Sequence, residues 1–348
     1  MKCKVCNKNF DYLTNILRIC KNCLLENFEN LRDELISIHK KTREKFELTF
    51  PTSKSKIKCK LCARECSLLE NERGFCGLRA YKNKKFINYS KNDYGFFQYY
   101  YDPLPTNCVA DWVCNGHTAY GKYNLAVFYE TCSLNCLFCQ NYHFRYRKPW
   151  KDKAYSYVEL LKALNPSVFC VCFFGGDPTT QAIHSIKFSE EAIKNGKVIC
   201  YESNGMWNKK ILLKVLEIVK ESGGILKFDI KAYSREVYFA LTGYDGKRVF
   251  ENLELAVSYL SDSSSKHLCV STLMVPGYID EYEISNISEF ISKLNPSIPY
   301  ALLAFAPHFE MSDARKNYKS EAYRFYEIAK SKGLKNVRIG NFFLLLER

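Results

Sequence analysis

The stretch Leu125-Ala-Val-Phe-Tyr129-Glu-Thr-Cys132-Ser-Leu-Asn-Cys136-Leu-Phe-Cys139-Gln-Asn-Tyr142 decides how this chain is read. Its first five residues are an apolar run of strand length, and three cysteines follow in one short loop. Structural zinc takes four protein ligands, whereas an iron–sulfur cube held by three cysteines keeps one iron open to a further ligand. The spacing therefore predicts a reactive metal centre at a strand end, where barrel enzymes carry their chemistry.

Downstream of that loop, apolar runs alternate with helical patterns. Strands are predicted over Val168–Phe174, Val198–Glu202, Ile225–Ile230, Leu268–Val275 and Tyr300–Phe305. Helices are predicted over Val158–Leu164, Ala182–Lys194, Lys209–Glu221, Asn252–Leu260, Ile284–Leu294 and Glu321–Lys332. Parallel strands need such crossovers, and their right-handed sense curls the sheet. Six strand–helix units are too few for a closed barrel of eight, so the fold class is α/β, a partial (β/α)6 TIM-type barrel over residues 121–348.

The residues that follow the strands are Gly175-Gly176-Asp177-Pro178, Ser203-Asn204-Gly205, Asp229-Ile230-Lys231, Pro276-Gly277-Tyr278 and Pro307-His308. The Gly-Gly pair lets backbone come close to a ligand and frees peptide groups for its polar atoms. Polar or Gly-rich groups at so many strand ends, all expected to face the cysteine loop, exceed what turns alone require.

Upstream lies a Cys-rich extension. Cys3-x-x-Cys6 and Cys20-x-x-Cys23 make a four-thiolate set suited to closed tetrahedral zinc, and residues 1–27 are read as a zinc-knuckle module. Residues 28–58 are read as a helix from Phe28 to Phe46, with a solvated basic end at Lys40, Lys41, Arg43 and Lys45, and a linker from Phe50 to Lys58. Cys59, Cys62, Cys66 and Cys76 open a second Cys-rich, aromatic segment, 59–120. Their ligand count fits another zinc site or an auxiliary cluster, and spacing alone does not choose. Cys108 and Cys114 are read as buried thiols.

The whole sequence, 348 residues, 47% apolar and 25% charged, is globular in composition. It has no apolar run of membrane length and no signal-peptide core at its start, which predicts a cytoplasmic protein without a membrane partner. Local grouping of the 17 cysteines is metal-ligand spacing rather than a disulfide framework. The formal charge of +14 leaves a nucleic-acid partner open, although the lysines are spread through every segment.

Three cysteines spaced by three and two residues, with the aromatic Phe138 before the third, resemble the signature of the radical S-adenosylmethionine (SAM) superfamily. Gly175-Gly176-Asp177-Pro178 resembles the superfamily's Gly-Gly-Glu-Pro segment, with Asp in place of Glu. Within the superfamily, the order of Ser203-Asn204-Gly205, Asp229-Ile230-Lys231 and Val275-Pro276-Gly277-Tyr278 is similar to that in pyruvate formate-lyase activating enzymes and their relatives. The first knuckle lies outside that pattern.

The resemblance implies a [4Fe-4S] cluster on Cys132, Cys136 and Cys139, with SAM chelating the open iron. One-electron cleavage would then give methionine and a 5′-deoxyadenosyl radical that abstracts hydrogen from a substrate. It also implies SAM contacts from Gly175, Gly176, Asp177, Pro178, Ser203, Asn204, Asp229 and Lys231, with His308 a candidate for the substrate side. A low-potential donor such as ferredoxin or flavodoxin would supply the electron. A protein substrate, as for the activases, is the leading reading. An RNA-modifying enzyme and a non-catalytic iron–sulfur electron carrier are the alternatives.

Overall fold

The computed structural model describes residues 1–51, 54–106 and 108–347. The chain opens with a short helix α1 (Lys21–Glu26) and a longer α2 (Phe28–Glu44). A small antiparallel sheet over Glu72–Arg73, Arg79–Lys82 and Lys85–Asn88 follows. The expected linker falls partly at positions 52 and 53, outside the described residues.

Eight strands then make one sheet: β1 (Phe97–Pro103), β2 (Tyr123–Tyr129), β3 (Val168–Gly175), β4 (Val198–Ser203), β5 (Leu226–Asp229), β6 (Leu268–Leu273), β7 (Tyr300–Leu303) and β8 (Val337–Gly340). Spatial order follows chain order. The β1–β2 pair is antiparallel and every later pair parallel. The crossovers carry α3 (Tyr157–Leu161), α4 (Ala182–Lys194), α5 (Lys209–Ser222), α6 (Arg235–Thr242) with α7 (Lys247–Leu260) and the short α8 (Ser264–His267), α9 (Glu281–Leu294) and α10 (Lys319–Ser331). Among the described residues β1 and β8 do not pair, so the barrel stays open.

The six predicted strand–helix units are present, and within the barrel region the strands β1 and β8 and the helices α6 and α8 were not foreseen. Val337–Gly340 is too short and half-exposed for its alternation to register. In β1 the run of exposed tyrosines carries no one-faced pattern. Helix α6 spans only eight residues before Gly243, at φ +71, stops it.

The strands hold two sets of side chains. Outward residues such as Val171, Phe173 and Tyr201 are fully buried beneath the helices, and Phe173 meets Phe188 of α4 edge-on. Each such side chain contributes about 1.5–3 kcal/mol of burial. The alternate residues, including Phe174, Glu202, Lys227 and Asp229, point into the barrel.

Helix α2 departs from the solvated reading. Lys40 and Lys45 are exposed, but His39, Thr42 and Arg43 are buried, and this face supports the cysteine loop. No helix among the described residues is long and apolar enough to cross a membrane.

Candidate active site

The loop after β2 and the carboxyl ends of β3, β4 and β5 enclose a cavity of about 330 Å³. Cys132, Cys136 and Cys139 line it from the loop, Gly175, Gly176 and Asp177 from the end of β3, Ser203 and Asn204 from β4, and Asp229 and Lys231 from β5. Pro178 sits just outside that lining, buried at the start of a short 3-10 turn.

The loop is held by backbone and by α2. Asn135 N–H donates to the Thr242 carbonyl and Leu137 N–H to that of Leu241, both at 2.9 Å, so the end of α6 caps the loop. The Asn135 side chain donates to His39 Nδ1 at 2.9 Å and to Thr42 Oγ1 at 2.8 Å. Since His39 Nε2 faces the Phe239 and Ala240 carbonyls, it carries the proton. Burial pushes that imidazole down to about 3, so it is neutral.

The Gly-Gly turn has a tighter reason than ligand approach. Gly175 has φ +102, and a Cβ on Gly176 would lie 2.4 Å from the Thr131 carbonyl oxygen. Gly176 N–H donates to Tyr129 O at 2.7 Å and Asp177 N–H to Thr131 O at 2.8 Å. The glycines thus clamp the β3 turn onto the backbone that leads into Cys132. Asp177 is also spoken for within the protein: its carboxylate accepts from Thr179 N–H at 2.8 Å and Asn204 N–H at 2.6 Å. Burial raises this carboxyl to about 6 against those donors. An Asp here ties β3 to β4, a task its short side chain suits.

Asn204 then reaches the cysteine loop. Its Nδ2 lies 3.6 Å from Cys132 Sγ and 3.0 Å from Ser133 Oγ. On β5, burial would raise the Asp229 carboxyl, but Lys227 at 3.2 Å and Lys231 at 3.0 Å hold it well below the usual range. Glu202 joins this group at 3.4 Å from Lys227.

Glu202 and Lys227 were not singled out from the sequence, although each is a charged residue on an otherwise apolar strand. Arg145 was also missed. It is buried, lines the cavity, and its Nε and Nη1 have no partner among the described residues. Its Nη2 donates to Asn135 Oδ1 at 3.4 Å, and the two free nitrogens of a buried guanidinium call for an anionic group such as a carboxylate.

Two expectations for strand ends fail. His308 is exposed and does not line the cavity. The Pro276-Gly277-Tyr278 turn does not face the cysteine loop but seats the first knuckle. Tyr12 packs where a Gly277 side chain would be, and Tyr278 Oη donates to Leu17 O at 3.1 Å and Ile19 O at 2.8 Å. Buried Lys21 bridges to Asp280 at 2.5 Å and Glu283 at 3.1 Å.

In that knuckle the Cys3, Cys6, Cys20 and Cys23 sulfurs all lie within 4.8 Å of one another, close enough to hold one metal ion. Burial alone would raise the Cys3 thiol, but backbone N–H groups of Cys20, Cys6 and Val5 bring it down to about 6. The Cys132, Cys136 and Cys139 sulfurs do not converge that tightly among the described residues. A cube, whose ligands sit on separate irons, wants that wider spacing. With two Arg145 nitrogens left without a partner beside them, these residues fit a cluster together with a ligand that carries a carboxylate.

Residues 126–290 match the family model described as the Radical SAM superfamily. No curated protein is similar in sequence. Among solved structures, the chain is similar to a domain of pyruvate-formate lyase-activating enzyme from Bacteroides vulgatus, at 16% identity and TM-score 0.40, over 49% of this chain and 98% of that one. It is also similar to Streptococcus suis SuiB bound to S-adenosylmethionine, at 16% identity and TM-score 0.46, over 60% of this chain and 48% of that one. The stretch from β2 into α9 is thus the part of the chain that matches the Radical SAM superfamily model, and within it the cysteine loop and the Gly-Gly turn join at one cavity.

Proposed function

We propose that this chain is an enzyme that binds a [4Fe-4S] cluster through Cys132, Cys136 and Cys139 and cleaves SAM reductively. The observation that carries the reading is the shared lining of one cavity by these cysteines, the Gly175–Asp177 turn and the ends of β4 and β5. When bound, cluster and SAM supply one-electron carbon–sulfur cleavage and a hydrogen-abstracting radical. The chain's own residues position and tune. Backbone of Gly175 to Asp177 offers polar groups to the SAM amino end. Arg145 takes the carboxylate, and Ser203, Asp229 and Lys231 meet the remaining polar groups. Asn204 donates to the Cys132 sulfur, which favours the more reduced, more negative cluster.

The substrate we propose is a protein segment. A cavity of about 330 Å³ is at the small end for ligand sites, so SAM leaves room for one inserted group rather than a whole second molecule. On the rim, Tyr100 of β1 stacks edge-on against Phe174, which lines the cavity. The outer edge of β1 pairs with no strand among the described residues, and a free edge can take an extended peptide.

Adding peptide or RNA fractions to the reduced enzyme with SAM tests this. 5′-Deoxyadenosine formation should rise with a protein fraction, and a rise with RNA alone overturns the substrate reading. We further propose zinc for the first knuckle, retained when the catalytic cysteines are removed, and a low-potential protein as electron donor.

A further inference from the structure

Cys59, Cys62, Cys66 and Cys76 have no part in the cavity described above, yet the fold gathers them. Cys59 N–H donates to Cys66 O at 2.9 Å, Phe75 N–H reaches Cys66 Sγ at 3.4 Å, and Ala63 N–H donates to Met206 O at 2.8 Å, docking the group on the barrel. Two features of this region lack an explanation in packing alone.

The first is charge. Arg43 is buried and donates only to the Thr49 and Phe75 carbonyls, and Arg64 donates only to those of Ser133 and Gly243, each at 3.1 Å. Both guanidiniums lie over the Phe75 ring, at 3.6 and 3.4 Å, and neither has a carboxylate partner among the described residues. A buried cation such as Arg43, with the half-buried Arg64 beside it, needs an anionic counterpart, and four metal-bound thiolates provide one.

The second is spacing. Zinc bonds of about 2.3 Å set tetrahedral sulfurs roughly 4 Å apart. The first knuckle meets that condition. Among the described residues the Cys59–Cys76 group does not, and in this it matches the Cys132 trio. Its place is also suggestive, since Cys76 and Cys132 line one small cleft together with Arg43 and Phe75.

We propose that Cys59, Cys62, Cys66 and Cys76 hold a second iron–sulfur cluster beside the first, with Arg43 and Arg64 as its countercharges. It rests on the radical SAM reading only for the identity of its neighbour. The test is iron and acid-labile sulfide analysis, with electron paramagnetic resonance after reduction, on the full chain reconstituted without oxygen.

Wild type should carry about eight irons, against about four for a single cube. The Cys132→Ala/Cys136→Ala/Cys139→Ala variant should keep about four and cleave no SAM. Cys59→Ser/Cys62→Ser should also fall to about four, and the spin–spin coupling of the reduced wild type should vanish in both variants. Should Cys59→Ser/Cys62→Ser fail to fold, the triple variant alone decides. A triple variant free of iron, or zinc that tracks Cys59 and Cys62, overturns the proposal. A wild type that holds both clusters but leaves SAM intact would support it while removing the function proposed above.

Discussion

Replacing Gly176 by alanine tests how the site is assembled. The added Cβ would lie 2.4 Å from Thr131 O, 2.8 Å from Thr131 C and 2.9 Å from Tyr129 O, all backbone atoms that cannot swing aside. An ordinary carbon–oxygen contact is about 3.3 Å, so the turn and the loop must part by roughly 1 Å. That strains or breaks the 2.7 and 2.8 Å hydrogen bonds from Gly176 and Asp177. Two such bonds are worth about 1 kcal/mol each, and overpacking adds about 1–3 kcal/mol, for a total of about 3–5 kcal/mol. In a barrel of this size, Tm of the unloaded chain should fall by about 6–20 °C. Because Thr131 precedes Cys132, iron uptake should fall as well. Gly176→Val should be worse. Asp177→Ala should be milder than either, since it removes one acceptor from Thr179 and Asn204 without driving backbones apart. Thermal denaturation and iron analysis of the three variants read this out. A Gly176→Ala chain with wild-type Tm and full cluster would refute the clamp.

Other consequences follow from the same geometry. Buried, neutral His39 has its pKa pushed to about 3, below its unfolded value. The stability this gives is present above pH ~6.5 and declines as pH falls toward 3, by up to about 1.4 kcal/mol per pH unit. His39→Gln should flatten that decline in a pH series of Tm, and an unchanged slope would count against it. Tyr278→Phe strips the donor from two buried carbonyls, costing about 1–3 kcal/mol; protease should then release residues 1–27 sooner, and wild-type resistance would exclude the docking role. Asn204→Ala removes a donor to Cys132 Sγ, so a redox titration should find the cluster harder to reduce, and an equal or higher potential would contradict that tuning.

The parallel strands and most helices were legible because their apolar periodicity is set by burial, as in α4, whose bounds agree in sequence and structure. That the cysteine loop and the Gly-Gly turn meet at one cavity was legible for a different reason: their spacing is a property of the chain itself. What stayed hidden depends on neighbours distant in sequence. Nothing local says that Arg43 turns inward or that Gly277 makes room for Tyr12, because the partners are dozens or hundreds of residues away. Arg145 looked like one more basic residue, and only its burial with two guanidinium nitrogens left without a partner sets it apart. His308 misled because a histidine after a strand has the right chemistry, while its position is decided by where the following turn runs.

The central claim is tested most directly by anaerobic reduction of the reconstituted chain with SAM, with 5′-deoxyadenosine and methionine quantified for wild type and for the Cys132→Ala/Cys136→Ala/Cys139→Ala variant. Wild type should form both products and the variant neither. Equal product from the variant, or none from a wild type with its cluster in place, would contradict the account.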